Sequence, residues 1–167
     1  MVGNSAESNR LRVFSTLIFC LVEWAARNGF APEPAPPGSG RPQQSRHLMG
    51  IRGETFAYWY LRRYGYVIVG RNFRAAGLKG EIDLIGFDGA VLAFIEVKTR
   101  TSKPNASALP EDAITADKRR FLARMARRFL TERRLTGTDW RFDVLAVESQ
   151  AGKRPLVRLH KGAFTDR

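Results

Sequence analysis

The sequence predicts an α/β fold, a central mixed β-sheet flanked by helices, and three observations predict it. The runs 50–64 and 115–135 carry apolar residues at the 3.6-residue spacing of a helix. Short β-branched or alternating runs recur near 66–69, 81–87, 91–99, 140–147 and 155–160, separated by turn residues. The order is helix, short strand, hairpin, helix, strand, strand, which one small domain satisfies with a single mixed sheet covered by helices.

The chain has 167 residues, room for one domain with an ordinary hydrophobic core. Hydrophobic residues make up 44% and charged residues 26%, which excludes a disordered chain. The net charge of +12 points to a polyanionic partner, nucleic acid ahead of an acidic membrane surface. An arginine-rich compositional bias is the plainer reading of that charge. The single cysteine, Cys20, excludes an internal disulfide and any zinc site built on cysteines. It fits a reducing compartment, and a cytoplasmic location is expected.

Residues 1–48 form an N-terminal extension unlike the rest. Arg10 and Arg12 precede an apolar run, Val13 to Val22, and a Pro- and Gly-rich linker follows from Ala31 to Pro42. The run is shorter than the roughly 20 residues that cross a bilayer, so no stable membrane insertion is expected. The segment reads first as a mis-called start or a species-specific extension ahead of a true start at Met49. An amphipathic helix on a flexible tether comes next and a leader peptide last. Charge supports the division: residues 49–167 hold 23 Lys+Arg and 13 Asp+Glu, a net of +10, against +2 for the first 48.

The domain at 49–167 opens with a helix from Gly50 to Tyr64, with Ile51, Ala57, Tyr60, Leu61 and Tyr64 on one side. Glu54 lies beside that buried side. Arg62, Arg63 and Gly65 supply its stop. A short strand follows at Tyr66–Val69, which Asn72–Arg74 extends past Gly70. Glu81–Phe87 and Val91–Thr99 then read as a hairpin around Asp88-Gly89. With those two residues as the turn, Phe87 pairs with Ala90, Asp83 faces Phe94 and Glu81 faces Glu96. Alternation then places Glu81, Asp83, Glu96 and Lys98 on one face, with Asp83 and Glu96 as diagonal neighbours.

A polar loop runs from Arg100 to about Ala113. Thr115 is the expected N-cap of the next helix, with Asp117 in its first turn. Its apolar stripe is Phe121, Leu122, Met125, Ala126, Phe129 and Leu130. Around that stripe stand Lys118, Arg119, Arg120, Arg124, Arg127, Arg128, Arg133 and Arg134. A charge run of this kind is usually a solvated face. This one is lopsided enough to read as a phosphate-contacting surface through Lys118, Arg120, Arg124, Arg127 and Arg128, with Arg100 beside it. Arg100 reads equally as a salt-bridge partner of Glu111 or Asp112. Two strands, near 140–147 and 155–160, close the sheet.

The chemistry lies in the hairpin. A carboxylate on a nearly all-apolar strand costs several kcal/mol unless it is paired or bound to a metal. Asp83 and Glu96, with the carbonyl of Val97, supply the oxygens that Mg²⁺ or Mn²⁺ prefers. Lys98 can orient an attacking water or offset phosphate charge. A structural Glu96–Lys98 pair is the plainer alternative, and Glu81 reads as a further ligand or as a partner of Lys79 or Lys98. Asp143 reads as the structural partner of an arginine, and Tyr58, Trp59 and Tyr60 as packing.

These residues resemble the PD-(D/E)xK nuclease superfamily, and within it the YraN-like family, similar to archaeal Holliday junction resolvases. The resemblance rests on Gly53-Glu54, Ala57, Tyr60-Leu61, Gly65-Tyr66, Arg71-Asn72, Gly80-Glu81-Ile82-Asp83-Leu84-Ile85, Glu96-Val97-Lys98-x-Arg100, Lys118 with its helix, and Arg141-Phe142-Asp143-Val144. It covers about residues 49–165. It implies a restriction-endonuclease-like fold, with Asp83, Glu96 and Lys98 as the nuclease core and Glu54 as an additional acid of the catalytic and metal set. It also implies a Mg²⁺- or Mn²⁺-dependent deoxyribonuclease for branched or recombination DNA, and a homodimer, since a junction has two strands to cut. Ile82 departs from the proline found at this position in many members. The alternative function is a non-catalytic nucleic-acid-binding protein that keeps the nuclease fold.

Overall fold

The computed structural model describes residues 16, 18–21, 42–101, 114–149 and 153–164. Among them lie two long helices, α1 (Pro42–Arg63) and α2 (Ala116–Glu132). Five strands accompany them: β1 (Val67–Phe73), β2 (Ile82–Asp88), β3 (Val91–Thr101), β4 (Trp140–Ser149) and β5 (Leu156–Phe164). The strands form one sheet in the order β1-β2-β3-β4-β5. All neighbours are antiparallel except β3 and β4, which run parallel because α2 carries the chain back between them. The mixed sheet with helices on its faces is as the sequence predicts.

Each face buries its own core. On one side Phe94, Phe142 and Val144 meet the apolar stripe of α2, Leu122, Met125, Ala126 and Phe129. On the other, Ala93, Ile95, Leu145 and Val147 meet Phe56, Ala57 and Leu61 of α1. Consecutive β3 residues therefore serve opposite cores, which is why its first half, Val91–Ile95, is continuously apolar. Gly53 lets α1 approach β3 closely, since a Cβ there would stand 1.9 Å from Thr99 Oγ1. Phe19, in the helical residues 18–21, is buried on α1 with its ring 5.3 Å from Phe56. Among the described residues no helix is long and apolar enough to cross a membrane.

Several boundaries differ from expectation. Helix α1 begins at Pro42, ahead of the Gly50 start, and β1 is one strand through Phe73. Strand β5 runs on to Phe164, whose ring stacks on Phe142 at 4.4 Å. The hairpin register is also corrected. Asp88 pairs with Val91 and Phe87 with Leu92, so the two turn residues are Gly89 and Ala90. Gly89 has φ +63°, and Asp88 and Ala90 are not among the positive-φ residues. That pattern suits a turn with glycine at its first central position, whereas Asp88-Gly89 would require Asp88 itself to turn left-handed. The loop expected at 102–113 lies outside the described residues, as do Glu111 and Asp112.

Candidate active site

The corrected register moves every cross-strand pairing by two residues, so side-chain parity survives and the neighbours change. One more step of the ladder would set Asp83 opposite Glu96 in place of Phe94. The ladder stops at Leu84–Ile95, however. Ile82 joins the core under α2 and Leu84 the core under α1, although they stand two residues apart. Alternation therefore breaks at Asp83. In the gap the Asp83 side chain replaces a backbone acceptor: its Oδ2 accepts the Val97 N–H at 2.7 Å.

Glu96 follows Phe94 on the α2 face and is 6% exposed. Its Oε1 accepts Lys98 Nζ at 2.9 Å and lies 3.2 Å from Lys118 Nζ. Its Oε2 is buried with no hydrogen-bond partner. A buried carboxylate oxygen left bare is costly, and it marks a place where another cationic group fits. Lys98 and Lys118 sit about two-thirds buried on the same oxygen, so the expected Glu96–Lys98 pair forms within a larger cluster.

Burial pushes the Asp83 carboxyl up to about 7, from an ordinary value of 3.8; the charge of Glu96 and, less strongly, that of Glu54 add to the rise. The Val97 N–H and Lys118 pull the other way. Glu54 thus acts on Asp83 from α1, the opposite side of the sheet. Its Oε2 accepts Asn72 Nδ2 at 3.0 Å. Among the described residues no three His, Cys, Asp or Glu side chains are grouped so as to hold a metal ion together. The close acidic pair is Asp83 with Glu96; Glu54 stands behind it.

Glu81 corrects the expectation of a four-residue face. It precedes the first residue of β2, where Gly80 turns with φ +125°, so alternation does not govern it. It pairs with Arg74 at 2.9 Å, with neither Lys79 nor Lys98. Asp143 is fully buried and takes Arg141 Nε at 2.8 Å, as expected of a structural pair. Tyr66 Oη and the Gly162 N–H also donate to Asp143, while Arg141 and Lys161 reach Asp88. Burial opposes charge on Arg141, but its bonds to Asp143 and Asp88 outweigh that and hold its pKa above the ordinary value.

On α2, Thr115 caps the helix by accepting the Lys118 N–H at 3.3 Å. This cap places Lys118 in the first turn, where its ammonium meets Glu96 and not the open solvent face. Arg120, Arg124, Arg127 and Arg128 are exposed beyond it. Arg120 pairs with Asp117 at 2.5 Å and Arg128 with Glu132 at 2.6 Å, both on the surface and both weak against a polyanion. Arg100 is half-buried in β3, in register with Glu148. Tyr58, Trp59 and Tyr60 are half-buried against the α1 core, as packing residues should be. Two features escaped the sequence: the hold of Asn72 on Glu54, and the contact of Lys118 with Glu96. The cap at Thr115 was the available signal for the second.

The uncharacterised protein family UPF0102 has a model that matches residues 53–147, a span that includes Glu54, Asp83, Glu96, Lys98 and Lys118. A UPF0102 protein of Koribacter versatilis is 41% identical over 92% of this chain and 96% of its own length. That match is longer than residues 49–167 alone and so reaches into the preceding segment. A UPF0102 protein of Geobacter sulfurreducens is 36% identical over 77% of this chain and 96% of its own. Another, from Symbiobacterium thermophilum, is 42% identical over 70% and 95%.

Proposed function

We propose, for a chain that belongs to the uncharacterised protein family UPF0102, that it is a metal-dependent endonuclease of the PD-(D/E)xK type hydrolysing phosphodiester bonds of DNA. The observation that carries this reading is the convergence of Asp83, Glu96 and Lys98 at the break between β2 and β3. There one carboxylate oxygen is buried without a partner and one carboxyl is pushed up to about 7. Like charges crowded into a partly dry site favour a cation among them. Magnesium is commonly held by one or two carboxylates with waters completing its shell. Asp83 and Glu96 fit that need, with the Val97 carbonyl and Glu54 as further oxygens.

Mg²⁺ or Mn²⁺ supplies, when bound, an activated water near neutral pH and offsets charge on the phosphate. The chain's own groups do the rest. The Val97 N–H fixes Asp83, and Glu96 holds two ammonium groups at the place where phosphate charge develops. Arg120, Arg124, Arg127 and Arg128 provide a basic surface along α2 for the backbone of the substrate. Branched or recombination intermediates are the proposed substrates, on the likeness to junction resolvases, and a homodimer is the proposed state.

The test is cleavage of branched, single-stranded and duplex DNA by the full chain with Mg²⁺ or Mn²⁺. Cleavage should require the ion and fall by at least about 100-fold in Asp83→Ala and Lys98→Ala. Cleavage that survives either change intact would falsify the assignment. The two ammonium groups that already balance Glu96 favour a second reading, a nucleic-acid-binding protein without catalysis. Retained DNA binding with no Asp83- and Glu96-dependent Mn²⁺ uptake in a calorimetric titration would select it.

A further inference from the structure

Strand β1 departs from regular geometry twice within a few residues. Its register slips between Ile68 and Gly70, where two steps on β1 face one on β2. Asn72 then adopts φ +49°, one of two non-glycine residues in the left-handed region among those described. In a regular strand consecutive side chains point to opposite faces. Here they do not. Arg71 lies over the Tyr58 ring at 4.7 Å and Asn72 donates to Glu54 at 3.0 Å. Glu54 and Tyr58 stand one turn apart on α1, so two successive strand residues reach one helix face. Phe73 returns at once to the core under α2, with its ring 5.0 Å from Phe129.

The left-handed turn at Asn72 is what allows this. A slip at Val69 alone would send Arg71 and Asn72 to opposite sides of the sheet. Bulges that re-aim a side chain cluster beside active sites, and left-handed non-glycine residues persist where the surrounding structure imposes them. Asparagine tolerates that conformation and also carries an amide donor. Here the donor reaches Glu54, which stands beside the close Gly53–Thr99 contact of α1 with β3 and whose charge acts on Asp83.

We propose that Asn72 is a positioning residue that aims Glu54 at the Asp83–Glu96 pair and so sets the cation affinity of the site. This rests on the metal-dependent reading above. Hydrogen bonds to site carboxylates orient them, and losing such a bond typically weakens metal binding by about 10–100-fold. Glycine keeps the left-handed backbone at no steric cost and removes only the amide, so Asn72→Gly isolates the side chain.

The experiment is calorimetric titration of the full chain with Mn²⁺, alongside thermal unfolding, for wild type, Asn72→Gly, Glu54→Gln, the double variant and Asp83→Asn. Asn72→Gly should weaken Mn²⁺ binding about tenfold or more. In the Glu54→Gln background it should add almost nothing, because both changes remove one interaction. Wild-type affinity in Asn72→Gly, or losses that add in full in the double variant, would overturn the positioning role even where Asp83→Asn abolishes binding. If Asp83→Asn leaves Mn²⁺ uptake intact, the metal reading itself fails, and the role of Asn72 with it. The double-variant comparison separates positioning from general loosening of the fold if Asn72→Gly also lowers the melting temperature.

Discussion

At Asp83 two demands oppose each other: burial and the Glu96 and Glu54 charges disfavour its ionised form, while the Val97 N–H favours it. Its carboxyl ionises near 7 in the folded chain against 3.8 as an ordinary side chain. Between those values the folded state keeps a proton that the unfolded state has released. The Asp83 contribution to stability is therefore fully present below about pH 3.8 and is lost as pH rises through about 7. Asp83→Asn keeps an acceptor for Val97 and removes the charge. It should stabilise the metal-free chain by roughly 1–3 kcal/mol at pH 8 and by little near pH 4, measured by denaturant unfolding. Equal effects at both pH values would contradict this account. The same proton competes with a cation, so Mn²⁺ affinity should climb as pH rises through about 7.

Among the elements, α1 depends on a close approach. Gly53 leaves no room for a Cβ beside Thr99, whose Oγ1, Cβ and Cγ2 would lie within 1.9 to 3.2 Å. Gly53→Ala should therefore push α1 off β3 and destabilise the chain by about 1–3 kcal/mol, read from the denaturation midpoint. Because Glu54 is the next residue, the proposed nuclease activity should fall too; an unchanged midpoint would show that α1 shifts freely. The hairpin teaches a related lesson. Its strands and the facing of Glu96 and Lys98 were legible from alternation, because a shift of two residues preserves parity. The turn itself was not, because Asp-Gly and Gly-Ala both make two-residue turns and Asp88 was claimed by Arg141 and Lys161 across the sheet. Glu81 likewise left the expected face, since pattern rules end where a strand ends.

For the whole molecule, charge bears on the proposed nucleic-acid partner. The net of +12 sits mostly in the 49–167 domain, and α2 presents its arginines beside the site without occupying it. Binding to DNA should weaken steeply with salt, and Arg124→Ala with Arg127→Ala should lower the slope of log affinity against log salt by about 1–2. An unchanged slope, measured by fluorescence anisotropy, would move the binding surface away from α2. The Arg141–Asp143–Tyr66–Asp88 network joins β2, β4 and the residue ahead of β1, and Lys161 and Gly162 of β5 complete it.

By itself the sequence determined the helices, the five strands, the basic face of α2 and the shared face of Glu96 and Lys98. All of these follow from periodicities and from charges set against an apolar strand, which are local properties of the chain. Tertiary structure alone decided that Asp83 fills a break in the ladder and that Lys118 shares an oxygen with Lys98. It also decided that Glu54 is held from behind by Asn72. Those contacts join residues 14 to 22 positions apart, across a bulge, a left-handed residue and a helix crossover. No pattern rule reaches across such irregularities, because each one resets which way the next side chain points.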